Sequence, residues 1–153
     1  MSLLFQRTYT DPDGALDDVR AVLRQSWPTS ESDSGGHMPP SRTRHYLQLV
    51  LHEWLANLMR HATFSSVPRI SVRVSLSETL ARCEVADNST GFDLEASLFE
   101  MQSNTLPLPE SQMGLRIIDA CATDVSYRSR PPAEYQFTAS IPYDHDPWMN
   151  VLF

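Results

Sequence analysis

The chain has 153 residues, a formal charge of -7 and 12 cationic side chains, every one of them arginine. That length suits a single domain, and the acidic balance argues against a nucleic-acid footprint, which needs clustered positive charge. The missing lysine excludes a Walker-type phosphate loop and Schiff-base catalysis on composition alone.

Cys83 and Cys121 lie far apart in apolar surroundings, as reduced core residues rather than a redox pair. No apolar run approaches the ~18 residues of a membrane span. The start, Met-Ser-Leu-Leu-Phe-Gln-Arg, lacks the layout of a signal peptide. The expectation is one domain over 1–153, soluble and cytoplasmic, with no membrane partner.

Residues 3–9 suit a first strand. Asp11-Pro12-Asp13-Gly14 reads as a turn, with Asp11 or Asp13 as a helix cap. Leu16, Val19, Val22 and Leu23 then recur at helical spacing from Ala15 to Trp27. Residues 28–41 are rich in Ser, Gly and Pro and read as a flexible loop.

A long helix is expected from about Ser41 to Ala62, with Leu47, Val50, Leu51, Trp54, Leu55 and Leu58 as its apolar stripe. Strict alternation over 69–76 predicts a half-buried strand, and 80–86 its antiparallel partner. A short helix at 94–101, an irregular stretch over 102–111 and a helix opening at Gly114 follow. Strands at about 124–129 and 134–142 close the domain. The tail 144–153 carries Trp148, Met149, Val151, Leu152 and Phe153, so it must dock on the core or on a partner. Helices with a mixed, mainly antiparallel sheet give an α+β two-layer sandwich, helices on one face.

Glu53, Asn57 and His61 stand at i, i+4 and i+8 of the long helix, so they form one polar line. Burying such groups without partners costs several kcal/mol. They line a cleft or face solvent. A zinc site is disfavoured, because His52 and His61 point to opposite sides at roughly 100° per residue. No Gly-x-Ser-x-Gly nucleophile elbow occurs.

Three segments fall in a telling order: Glu53-x-x-x-Asn57-x-x-x-His61-Ala62, Asp87-Asn-Ser-Thr-Gly91-Phe-Asp, and Met113-Gly114-Leu115-Arg-Ile-Ile118. They resemble the nucleotide boxes of the GHKL, or histidine-kinase-like, ATPases (Bergerat fold). The resemblance is nearest to the bacterial anti-sigma-factor serine/threonine kinases. It covers about residues 44–142. It departs from the family pattern at Ser89 and Gln112, where box glycines are usual, and at Glu134-Tyr135, where Gly-Thr often stands.

The resemblance implies ATP and Mg²⁺ as cofactors. It implies Asn57 as the metal ligand, Glu53 as the catalytic base, Asp87 as acceptor for the adenine amino group and Gly91 as a close approach to the base. Gly114 and Leu115 would begin a helix whose amides face the phosphates, and 101–113 would be the ATP lid. It further implies a partner-switching regulator of transcription, with a sigma factor or a STAS-like antagonist as partner, and a homodimer. Ser89, Gln112 and Tyr135 motivate the alternative of a catalytically weak or inactive binding module on the same fold. An unrelated α+β domain would leave Asn57, Asp87 and Gly114 apart.

Overall fold

Asp11 starts the first helix. Its carboxylate accepts the Asp13 amide at 3.2 Å, and Pro12 takes the first helical position, where a missing N–H costs nothing. Residues 11–14 are therefore not a free-standing turn but a cap and the first helical residues. The computed structural model describes residues 1–29, 38–91 and 110–147, the side chains of 110–112 aside.

The element order is β1 (Ser2–Tyr9), α1 (Pro12–Ser26), α2 (Ser41–His61), β2 (Ile70–Leu76), β3 (Leu80–Asp87), α3 (Glu110–Cys121), β4 (Thr123–Arg130) and β5 (Glu134–Pro142). The sheet runs β1-β2-β3-β5-β4. Each neighbouring pair is antiparallel, so the expected mainly antiparallel sheet is, among the described residues, antiparallel at every pairing. Nothing in the local pattern specifies the β3–β5 pairing, which is a contact between segments remote in sequence.

The alternation in β2 sends Ile70, Val72, Val74 and Leu76 into the core and leaves Arg73 exposed. In α2, Leu47, Val50, Leu51, Trp54, Leu55 and Leu58 have no exposed surface. Burying each such side chain is worth roughly 1.5–3 kcal/mol, which holds the helix layer on one sheet face. The other face is polar, with Arg82, Arg128, Gln136 and Thr138 lining an open groove.

The third helix begins at Glu110, four residues before the expected Gly114. Residues 110–113 of the expected lid are therefore helical, while 101–109 and the expected helix at 94–101 lie outside the described residues, as does 30–37 of the expected loop. Beyond β5 the chain crosses the base of the helices. The Tyr143 hydroxyl donates to the Ser77 carbonyl at 2.6 Å. The Arg42 guanidinium donates to the Tyr143 carbonyl at 2.7 Å, and the Tyr46 hydroxyl donates to Asp146 at 2.6 Å. This start of the tail docks on its own domain; residues 148–153 lie outside the described ones.

Both cysteines are buried and free. Burial pushes the Cys83 thiol up to about 12 and that of Cys121 up to about 11. No helix among the described residues is long and apolar enough to cross a membrane.

Candidate functional site

The polar line on α2 divides by position. Glu53 is half-buried, Asn57 is buried and His61 is exposed. Glu53 faces α3: a Cβ built on Gly114 would lie 2.6 Å from its Oε2. The glycine lets the tip of that carboxylate lie against the helix, and a side chain here would make the Glu53 carboxylate swing aside.

Asn57 lies one turn further along α2. Its Nδ2 is buried without a hydrogen-bond partner among the described residues. Leaving an amide N–H in that state costs roughly 1–3 kcal/mol, so the position favours an acceptor brought from outside.

Asp87 ends β3 and is 1% exposed. Its Oδ1 accepts the Ser89 amide at 2.9 Å and also the Ser89 hydroxyl, in a very short contact. Its Oδ2 accepts the Tyr127 hydroxyl at 3.0 Å. Burial raises the Tyr127 phenol well above its ordinary range; the Ser89 hydroxyl partly opposes this, and the Asp87 charge adds to it. The Ser89 hydroxyl also accepts the Gly91 amide at 3.1 Å.

Ser89 carries no strain. Among the described residues only Asp124 is a non-glycine with positive φ. The hydroxyl instead braces the turn that a box glycine would otherwise form, by bonding the carboxylate two residues back.

The turn after β3 is stitched to the chain leaving α2. Asn88 accepts the Arg69 amide at 2.7 Å and donates to the Val67 carbonyl at 2.9 Å. The Thr90 amide donates to the Thr63 carbonyl at 2.9 Å. These bonds fix Asp87 and Gly91 relative to the end of α2.

Four rings run through this region. Phe137 stacks on Trp54 with centroids 4.2 Å apart, and Trp54 meets Tyr127 at 4.9 Å. Tyr127 stacks on Tyr135 at 5.3 Å. Tyr135 then lies over Gly91, where a Cβ would fall 2.3 Å from its ring. Gly91 has φ 78°, a conformation that favours glycine.

The sequence-derived candidates therefore border the C-terminal half of α2. Glu53 and Asn57 stand on it, Gly114 touches Glu53, and Asp87 is tied to Trp54 through Tyr127. Leu115 does not present its side chain to this region; it is buried in the core. Nor do Gly114 and Leu115 open their helix. In a helix starting at Glu110 the free amides are those of the first four residues, so the amides of Gly114 and Leu115 fall within its hydrogen-bonded interior.

Sequence reasoning overlooked Tyr127 and Asn88. Tyr127 was detectable as a phenol on the core-facing parity of its strand, where a buried hydroxyl needs a partner.

The residues divide in how they suit a nucleotide with Mg²⁺. At the Asn57 end they fit: a buried carboxamide offers an oxygen to a hard cation and an unused N–H to a phosphate. No three His, Cys, Asp or Glu side chains among the described residues gather into a metal-binding group. At the Asp87 end they do not fit as they stand, because Tyr135 covers Gly91 and Asp87 is enclosed.

No curated protein matches the chain. A family model, the histidine kinase-like ATPase domain, matches residues 10–135. With that match spanning most of the chain, and a five-stranded antiparallel sheet layered on helices, the chain belongs to the histidine kinase-like ATPase domain family.

Proposed function

We propose that the domain binds ATP with Mg²⁺ and acts as a serine/threonine protein kinase of the anti-sigma-factor type, regulating transcription by partner switching. The observation that carries this reading is the pair on α2. Glu53 lies against Gly114, and the buried Asn57 amide has no partner among the described residues. Asn57 would hold Mg²⁺, and the ion would supply charge stabilisation for the phosphates of ATP. Glu53 takes the proton of the attacking serine or threonine hydroxyl. ATP supplies the phosphoryl group, and such transfer depends mainly on positioning and charge stabilisation. Asp87 and Gly91 form the base end, and Gly114 keeps the Glu53 side of the site open. The protein is cytoplasmic and works on a sigma factor or a STAS-like antagonist, as a homodimer.

A second reading is a binding module of the same fold with weak or absent catalysis. The specific observation in its favour is the closed base end, with Tyr135 over Gly91.

Calorimetric titration with MgATP and MgADP separates the two. The kinase reading expects saturable binding that Asn57→Ala and Asp87→Asn abolish. It expects Glu53→Ala to bind MgATP yet to lose phosphate transfer to a STAS-domain antagonist. Absence of heat and of thermal shift at millimolar nucleotide would sink it and leave the fold assignment intact.

A further inference from the structure

Tyr135 lies opposite Asp87 in the β3–β5 register. Both side chains therefore emerge on the same sheet face. Instead of projecting freely, the Tyr135 ring packs on Gly91, with three of its atoms between 2.3 and 2.6 Å from where a Cβ would sit. A glycine with φ 78° that admits a flat ring against its backbone is the arrangement expected for a bound base. Here the chain supplies the ring itself. Tyr127 stacks against that ring, at 5.3 Å and 26°. The same Tyr127 donates to Asp87, so the carboxylate expected to read an exocyclic amino group is engaged and 1% exposed.

We infer that Tyr135 is an internal occupant of the base pocket, a ring that a purine nucleotide must displace before Asp87 and Gly91 can receive it. The inference rests on the assignment of Asp87 and Gly91 to the base end of a nucleotide site. Tyr135 suits a displaceable plug. It is half-buried, and it is the second residue of β5, beside the turn at 131–133. Rotation about its own side-chain bonds opens the pocket without breaking the β3–β5 ladder. Apparent affinity is then the intrinsic affinity scaled by the fraction of molecules in which the ring is out. Tyr135 sets how strongly the site responds to nucleotide concentration, and it is a positioning residue, not a catalytic one.

The test is calorimetric titration of the whole chain with MgADP, comparing wild type, Tyr135→Phe, Tyr135→Leu and Tyr135→Thr, each checked for folding by thermal unfolding. Tyr135→Thr is expected to bind about 10-fold tighter or more, as when an open fraction of about one in ten becomes complete. Tyr135→Phe is expected to stay within about 2-fold of wild type, because the ring and not the hydroxyl fills the space. Tyr135→Leu, which keeps apolar contact but no planar ring, falls between them and carries the test if the Thr variant does not fold. Equal, Asn57-dependent binding by wild type and the Thr and Leu variants overturns the plug and leaves the nucleotide site standing. No binding by any of them overturns both. Looser binding by Tyr135→Thr, with Tyr135→Phe unchanged, makes the ring part of the binding surface and also overturns the plug.

Discussion

Tyr127 donates its phenol proton to Asp87 at 3.0 Å although their strands are not neighbours, since β5 runs between β3 and β4. The bond crosses an intervening strand inside the core. Removing the hydroxyl leaves a buried carboxylate with one donor fewer, a loss of about 1–3 kcal/mol. Tyr127→Phe should lower the free energy of unfolding by that amount, measured by urea denaturation, with the Trp54 and Tyr135 contacts preserved by the unchanged ring.

Asn57 should show the opposite sign. Its Nδ2 is buried without a partner among the described residues, so replacing the amide by an apolar group of similar size relieves a desolvation cost of roughly 1–3 kcal/mol. Asn57→Leu is expected to raise the thermal midpoint of the nucleotide-free protein and to abolish Mg²⁺-dependent nucleotide binding. Trading stability for a polar group held ready is common at functional positions.

Gly91→Ala should be among the costlier small substitutions in the chain. A methyl group there meets the Tyr135 ring at 2.3 Å, and φ 78° penalises an L side chain by roughly 1–2 kcal/mol. Combining it with Tyr135→Ser removes the collision but not the backbone term. Partial recovery of stability in the double variant, read by denaturant midpoint, is the expected outcome.

Alkaline pH should weaken the fold in a defined window. The ordinary thiol value is 9.0, and burial raises Cys83 to about 12 and Cys121 to about 11. A raised folded pKa means that the unfolded chain loses its proton first. The stabilisation is full below pH 9 and is lost as pH rises towards 11 and 12. The buried phenol of Tyr127 is raised as well and adds in the same direction. Urea midpoints at pH 8 and pH 10.5 should differ, and Cys83→Ala should flatten that difference.

Much of the fold was legible because periodicity is local. The apolar stripe of α2 and the alternation of β2 each sit within one element, and Glu53 and Asn57 are one turn apart, so spacing alone put them on one line. The start of α3 was missed because Glu110-Ser-Gln-Met carries no apolar rhythm and follows Pro107 and Pro109. The antiparallel β3–β5 pairing and the Tyr127–Asp87 bond join segments far apart in sequence. Such pairings depend on which elements the chain has already packed, and no window of neighbouring residues contains them.

The run of rings Phe137, Trp54, Tyr127 and Tyr135 ends on Gly91. Rings held this close and at fixed angles share their ultraviolet transitions, and the near-ultraviolet circular dichroism of a protein depends on just such fixed packing. Turning Tyr135 out of the run would change that spectrum while the backbone signal stayed constant. The domain thus carries an unlabelled optical gauge of its own base end, wired to an indole in the middle of the core.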